Sequence, residues 1–173
     1  MLWDSVFAVE IGADRCISLT ARGDHLAQEI VRVHRLLERR LTDVLGLDWA
    51  EADEEAQLLA PGVSERVADA LDEAMGHRAT CPHGNVIPGR AAPYGRLVAL
   101  ADLESGVAAR FRRISEVGRA RCPELLRELA TYGLVTGARI AVAKADRSVQ
   151  AVPLRVEGEI RPIGTTVAPL DLG

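Results

Sequence analysis

A long amphipathic pattern near the N-terminus constrains the fold more than any other feature. Its apolar residues recur at steps of three and four positions, which is the spacing of one face of an α-helix. Thr20 is suited to cap the start of this helix, and Gly46 to end it. Because the helix has more apolar surface than two short neighbours can cover, we expect the chain to dimerise. The apolar positions are Leu26, Ile30, Val33, Leu37, Leu41 and Val44.

Two shorter helices are predicted to follow the long one, and a hairpin is predicted to precede it. Asp48 and Glu51 have the spacing of a capping box, and a Pro-Gly pair breaks the helix that they begin. Ser64 is suited to cap the third helix. Ahead of the long helix, residues 6–11 and 16–19 are apolar stretches separated by a turn-rich spacer. That pattern is typical of a β-hairpin.

The periodicity changes from helical to alternating after residue 96, following a stretch rich in glycine, proline and alanine over residues 88–96. We therefore place a domain boundary within that stretch. Pro123 is suited to the first position of a single helix in the second half. The second half fits a small β-barrel with one helix, so the chain belongs to the α+β class. Strands are predicted around residues 107–112, 139–143, 149–156 and 167–172.

The overall charge and composition narrow the possible classes of protein. The 173 residues carry a net charge of −4 with a pI near 5.6, which argues against a protein whose main role is to coat phosphate backbones. The sequence has no apolar run of about eighteen residues and no signal-peptide layout at its start. We therefore expect a cytoplasmic protein that does not contact membranes. Its three cysteines would stay reduced there and remain available as thiolates.

Cys81 and His83 bring a thiol and an imidazole two residues apart, on either side of Pro82. Because proline favours an extended predecessor, the pattern predicts an extended segment in which both side chains project the same way. Gly84 and Asn85 then allow a sharp turn. Sulfur and imidazole nitrogen suit zinc, iron, manganese or copper better than calcium or magnesium. The alternative is a Pro-Gly-Asn loop with an incidental buried thiol.

His34 and Glu38 form a second candidate pair on the long helix. Residues at positions i and i+4 of a helix stand one above the other on the same face, so this pair can share a metal ion. The alternative is a hydrogen-bonded or ion-paired couple beside the apolar stripe.

Several motifs occur together in an order and spacing that resemble one known family. In the first half these are residues 14–20, 34–41, 44–47 and 81–88, and in the second half residues 100–103, 123–127 and 132–137. Together they resemble the diphtheria-toxin-repressor family of iron- and manganese-dependent regulators. The motifs of the second half are similar to the FeoA-like, SH3-like barrel of that family.

The resemblance implies a winged-helix DNA-binding domain, a helical metal-binding and dimerisation domain, and the barrel. Residues 1–20 resemble only the β-wing, residues 21–89 resemble the helical domain, and residues 97–173 resemble the barrel. A helix that would enter a major groove is therefore not expected in this polypeptide, and a wing alone reads little sequence. We accordingly expect no sequence-specific DNA binding by this chain alone. Its expected partner is a second copy of itself or a full-length family relative.

The resemblance also implies two metal sites. One of them falls on Gln57, Ala60 and Pro61. Because alanine and proline have no side-chain donor atom, we predict that this site is lost. The other site falls on His34 and Glu38, together with a position on the second helix that is His in some relatives and Asp53 here.

Three further residues extend the second site. A barrel position that is often Asp in relatives is Cys122 here and can join, although a buried thiol without a ligand role is the alternative. Adding Cys81 and His83 is our own inference, because the matching family motif is not a ligand pair. The complete candidate set is His34, Glu38, Asp53, Cys81, His83 and Cys122.

Thiolates would soften such a site and shift its preference from manganese toward zinc, iron or copper. Cys81 and Cys122 each precede a proline, and Cys-Pro dipeptides also occur where a thiolate binds haem iron, so haem is kept as an alternative cofactor. The expected function is that of a metal sensor or accessory regulator derived from such repressors. The alternative is a metalloenzyme acting on a small molecule, in which His34 or Glu38 serves as base and a cysteine as ligand or nucleophile.

Overall fold

The computed structural model describes residues 8–115, 125–143, 151–164 and 170–172. The described part of the chain begins with an antiparallel hairpin formed by β1 (Val9–Ile11) and β2 (Ile17–Leu19). The predicted hairpin is therefore confirmed, with shorter strands than the apolar stretches suggested.

Three helices follow the hairpin. They are α1 (Ala21–Asp43), α2 (Trp49–Leu59) and α3 (Glu65–Ala74). The hydroxyl of Thr20 accepts a hydrogen bond from the backbone of the first turn of α1, as predicted. A short 3₁₀ turn follows α2 at its Pro-Gly pair.

The two remaining caps behave differently from each other. The carboxylate of Asp48 accepts hydrogen bonds from the first turn of α2, and the side chain of Glu51 accepts one from the backbone of Asp48. The predicted capping box is confirmed. Ser64 occupies the N-cap position of α3, but its side chain forms no capping hydrogen bond. The predicted start of the third helix at Ser64 is therefore confirmed, without a capping hydrogen bond from its hydroxyl.

The apolar stripe of α1 is divided between the interior and the surface. Leu37 and Leu41 pack against alanines of α2 in one apolar cluster. Leu36, outside the predicted stripe, is fully buried against α3 and the segment that follows it. Ile30 is 65% exposed, and Val44 is 52% exposed. An apolar part of α1 therefore remains uncovered within one chain.

The described residues of the second half form a six-stranded sheet in which all paired neighbours are antiparallel. The strand order is β3-β8-β4-β5-β6-β7, and helix α4 (Leu125–Thr131) packs on it. The strands are β3 (Val98–Ala99), β4 (Ala108–Ile114), β5 (Arg139–Val142), β6 (Ala151–Val156), β7 (Glu159–Gly164) and β8 (Leu170–Leu172).

Strand β7 was not among the predicted strands. It pairs with β6 along its full length, because Glu157 and Gly158 adopt positive φ angles and reverse the chain between them. The predicted strand at 167–172 is described only over β8, and the expected start of the α4 helix at Pro123 lies outside the described residues.

The helical part and the sheet share an apolar core. Trp49 and Ala50, in the first turn of α2, are buried in the same cluster as Phe111 of β4 and Leu154 of β6. The start of α2 is thereby held against the sheet, next to the loop that carries Cys81. None of the described helices combines the length and apolar character needed to cross a membrane.

Candidate metal centre

Three side chains from α1 and α2 converge near the middle of α1. Nε2 of His34 lies 2.9 Å from Oε1 of Glu38, one turn further along α1. The same nitrogen lies 3.1 Å from Oδ1 of Asp53, which α2 contributes. Packing of α1 against α2 through leucines and alanines brings the aspartate into reach. The predicted i, i+4 pair is therefore close enough to share a cation, and its third predicted member lies with it.

Glu38 is the most enclosed member of this group, with only 1% of its surface exposed. Burial raises the pKa of its carboxyl group, but hydrogen bonds and charges from His34 and His83 outweigh that effect. The pKa is consequently held well below the usual value of a glutamate. Glu38 is therefore ionised in the folded protein, which is the form of a carboxylate that binds a metal ion.

Cys81 and His83 lie in a tight turn, so the prediction of an extended segment is wrong. The backbone N–H of Gly84 donates to the carbonyl of Cys81 at 3.0 Å, and the N–H of Cys81 donates to the carbonyl of Asn85 at 2.9 Å. Pro82 suits the second position of such a turn and glycine the fourth. Sγ of Cys81 still lies 3.9 Å from Nδ1 of His83, so the thiol and the imidazole meet as expected.

Two arginines of α1 hold the ends of this turn. The guanidinium of Arg39 donates twice to the carbonyl of Thr80, at 3.1 and 2.9 Å. Arg35, one turn earlier, donates to the carbonyl of Val86. The segment between these two carbonyls is therefore fixed against α1.

The sheet holds the same turn from the other side. Backbone N–H of Ile114 donates to the carbonyl of His83 at 3.0 Å, and the amide of Asn85 donates to the carbonyl of Ile114 at 3.2 Å. A Cβ on Gly84 would lie 1.9 Å from the carbonyl oxygen of Arg112, so only glycine fits. The turn is thus fixed between the helical part and β4.

His83 links the turn to both α1 and α2. Its Nδ1 lies 3.2 Å from Oε1 of Glu38, and its Nε2 lies 3.3 Å from the carbonyl oxygen of Trp49. The Trp49 ring meets the imidazole edge-on, with ring centroids 5.3 Å apart. Burial, followed by the charge of Glu38, raises the pKa of the Cys81 thiol well above its usual value. In the absence of a metal ion, Cys81 is therefore a neutral thiol.

Within the described residues the predicted ligands divide into two groups that share Glu38. One group is His34, Glu38 and Asp53, and the other is Glu38, Cys81 and His83; in each group the ligand atoms lie within 4.8 Å of one another. Cys122 lies outside the described residues. Its ligand role stays a prediction.

The predicted loss of the other family site concerns a different region. Ala60 and Pro61 line a cavity of about 690 Å³ between α1, α3 and the 3₁₀ turn, together with Arg32 and Asp69. Those two charged residues pair with each other at 2.8 Å. The loss of this site stays a prediction.

Several residues that organise the centre were not among those predicted from the sequence. Trp49 was absent from the candidates, although it opens α2 and supplies the carbonyl that His83 faces. Arg35 and Arg39 were also absent; their i, i+4 spacing places them on one face of α1, but only the structure shows that this face contacts backbone carbonyls.

Comparison with known proteins relates the chain to a group of metal-dependent regulators. Residues 20–89 match the family model described as the iron dependent repressor, metal binding and dimerisation domain. The iron-dependent repressor IdeR of Mycobacterium tuberculosis is 34% identical over 145 residues, covering 78% of this chain and 63% of that repressor. The chain therefore spans about three fifths of the length of this relative.

Two solved structures have the same fold as this chain. The crystal structure of T. acidophilum IdeR aligns with a TM-score of 0.72 and 28% identity, covering 97% of this chain and 76% of that one. A manganese-dependent transcriptional repressor in complex with manganese aligns with a TM-score of 0.78 and 28% identity, covering 91% of this chain and 75% of that one. The likeness thus includes both the helical part and the sheet.

Proposed function

Because this chain belongs to the iron-dependent repressor family, we propose that it is a dimeric, metal-responsive accessory regulator whose sensing ion is held by His34, Glu38 and Asp53. The observation that carries the proposal is the convergence of one imidazole and two carboxylates across the α1–α2 contact. The matched domain, described as one for metal binding and dimerisation, supports a homodimer.

The spacing of these three ligands suits a divalent ion. An octahedral ion with bonds of about 2.1 Å has adjacent ligands about 3.0 Å apart. The two distances from Nε2 of His34 to the carboxylates are 2.9 and 3.1 Å. Carboxylate oxygen together with imidazole favours manganese, iron or zinc over copper(I). The ionised state of Glu38 supplies the negative charge that such an ion needs.

The position of this site gives an ion a structural effect. His34 and Glu38 belong to α1 and Asp53 belongs to α2, so an ion bound by all three would cross-link the two helices. The start of α2 is packed into the core of the sheet. An ion at this site would therefore stiffen the connection between the helical part and the sheet, which is how metal occupancy would be communicated.

DNA recognition is not expected from these residues alone. Within the described part of the chain, the element that resembles a DNA-binding part is the hairpin of β1 and β2, whose strand residues are all exposed. The net charge of −4 also disfavours tight binding to phosphate backbones. The protein would then act through its partner, either a second copy or a full-length relative. The metalloenzyme alternative stays a prediction.

Metal titration tests the site. Apo protein titrated calorimetrically with Mn²⁺ should bind the ion, and His34→Ala should weaken that binding by more than about tenfold. The matched control is His25→Ala, because His25 forms an exposed i, i+4 pair with Glu29 on the same helix. Equal loss of affinity in both variants would contradict the proposal.

Selection from a random duplex library tests the DNA part. The metal-loaded protein at physiological salt should enrich no sequence, and light scattering should give the mass of a dimer. Enrichment of a defined site by the isolated protein, or a monomeric mass, would contradict the corresponding half of the proposal.

A further inference from the structure

We propose that Glu38, Cys81 and His83 form a second cation site, which binds a borderline-soft divalent ion such as Zn²⁺ through a thiolate, next to the first site. The two sites share Glu38, and the proposal rests on the function proposed above only through that residue. The three side chains come from α1 and from the turn at Cys81, and each is about 1% exposed.

The distances between the ligand atoms suit a tetrahedral ion. Zinc with bonds of about 2.0 Å to nitrogen or oxygen and about 2.3 Å to sulfur has N···O edges of about 3.3 Å and S···N edges of about 3.5 Å. Nδ1 of His83 lies 3.2 Å from Oε1 of Glu38, and Sγ of Cys81 lies 3.9 Å from the same nitrogen. The ligand atoms of all three side chains lie within 4.8 Å of one another, so an inward movement of the thiol would complete three corners of a tetrahedron.

The hydrogen bonding of His83 favours a cation in this position. The carbonyl oxygen of Trp49 faces Nε2 of His83 at 3.3 Å, and Oε1 of Glu38 faces Nδ1 of the same ring at 3.2 Å. An ion bound through Nδ1 would replace the hydrogen between Nδ1 and Glu38, and the ring would keep its hydrogen on Nε2, opposite the Trp49 carbonyl. The carboxylate of Glu38 and the thiolate of Cys81 would then bind the same ion.

The surroundings of His83 match those of imidazoles that bind metal ions. An imidazole that binds metal through one nitrogen ordinarily donates its other N–H to a carbonyl or carboxylate, which fixes the ring orientation. The Trp49 carbonyl supplies that partner for His83. The turn itself is fixed by Arg39 from α1 and by Ile114 from β4. Little rearrangement is therefore needed before an ion binds.

The two neighbouring sites differ in the ion that they prefer. At the first site, His34 and Asp53 supply nitrogen and oxygen beside Glu38. At the second site, Cys81 supplies a sulfur, which favours zinc over manganese. Binding at the second site forms a metal–sulfur bond and releases the thiol proton of Cys81 to solvent. A carboxylate shared by two ions sets them about 3.5–4 Å apart, as in other paired sites. Zinc and manganese would thus bind at adjacent positions of one centre.

Cobalt spectroscopy on the full chain tests the second site. The chain has three cysteines, so Cys16→Ser and Cys122→Ser are introduced first, which leaves Cys81 as the single thiol. Apo protein is then titrated with Co²⁺, which substitutes for Zn²⁺ and produces a near-ultraviolet charge-transfer band when bound to a thiolate. We expect this band, its displacement by Zn²⁺, and its complete loss after a further Cys81→Ser substitution.

Two additional measurements separate this proposal from the first one. Asp53→Ala should lose Mn²⁺ binding and keep the cobalt–thiolate band, whereas Cys81→Ser should keep Mn²⁺ binding and bind one Zn²⁺ fewer per chain. X-ray absorption of the zinc-loaded single-thiol protein should show one sulfur at about 2.3 Å. That measurement needs no substitution at the site, so it holds even if Cys81→Ser fails to fold.

The proposal is overturned if the folded single-thiol protein gives no thiolate band and no zinc–sulfur scattering. It is also overturned if the folded Cys81→Ser variant keeps the band. A band without any Mn²⁺ binding would remove the function proposed for the first site and leave the second site standing.

Discussion

Oε1 of Glu38 lies 3.2 Å from Nδ1 of His83, and both side chains are at most 2% exposed. The two residues belong to different parts of the fold, since Glu38 lies in the middle of α1 and His83 lies in a turn that the N–H of Ile114 ties to the sheet. Because charges buried at this depth are only weakly screened, the contact contributes to stability. The same contact joins two candidate metal ligands, so the chemistry of the centre and the stability of the fold both depend on the contact between Glu38 and His83.

Glu38→Gln is expected to destabilise the apo protein. The substitution keeps the shape of the side chain but removes the charge that faces His34 and His83. Removing one partner of a buried pair costs about 3 kcal/mol or more. Urea denaturation at neutral pH measures the change in the free energy of unfolding.

The control for this prediction is Glu29→Gln, which alters an exposed glutamate on the same helix. It should change the free energy of unfolding by less than about 0.5 kcal/mol. Similar losses in the two variants would show that the burial of Glu38 does not matter.

The stability of the apo protein should depend on Glu38 in acid. The folded-state pKa of Glu38 is held well below its usual value, whereas in the unfolded chain it is about 4.3. The contribution of the ionised carboxylate is therefore fully present above about pH 4.3, and it is lost as the pH falls from there toward the folded-state value. Urea denaturation across this range should show the loss in the wild type, and Glu38→Gln should lack that component. Parallel pH profiles would contradict the prediction.

Gly84→Ala should be much more damaging than Gly89→Ala. Both glycines have nearly the same positive φ angle, +86° and +85°, so alanine pays a similar backbone strain of about 1 kcal/mol or more at each. A Cβ at Gly84 would also lie 1.9 Å from the carbonyl oxygen of Arg112, while at Gly89 it would meet nothing within 4 Å.

The difference in the free energy of unfolding between these two variants measures the effect of the close approach of the turn to β4. We expect Gly84→Ala to lose at least about 2 kcal/mol more than Gly89→Ala in the free energy of unfolding. Thermal and urea denaturation of the two purified variants measure it. An equal loss would mean that the turn does not pack against Arg112 as described.

Cys81 and Cys16 should differ sharply in their reactivity. Cys81 is buried and its thiol pKa is raised, first by burial and then by the charge of Glu38, whereas Cys16 is exposed. Because the thiolate is the reactive form, iodoacetamide should modify Cys16 at least about tenfold faster in the native apo protein. Peptide mass spectrometry follows each site separately, and the difference should vanish in urea. Equally fast native labelling of both would contradict the burial of Cys81.

Local sequence signals predicted the features that depend on neighbouring residues. The cap at Thr20 and the capping box at Asp48 were both visible in the sequence, because each depends on contacts within a few positions. The i, i+4 relation of His34 and Glu38 was visible for the same reason. Other predictions failed where distant contacts decided the outcome, as for Leu36, which is buried outside the apolar stripe, and for β7, which is defined by its pairing with β6. The extended segment predicted at Cys81 and His83 is a tight turn, which is held between α1 and β4.

The sequence by itself determined the long amphipathic helix, the ligand pair that it carries, and the placement of a thiol and an imidazole two residues apart around a proline. Only the tertiary structure decided that Glu38 faces both groups. That arrangement requires α2 to pack on α1 and the turn to be held between α1 and β4. Such contacts join residues far apart in the chain, so they arise from the burial of the apolar cores and from hydrogen bonds to backbone carbonyls, which no local pattern records.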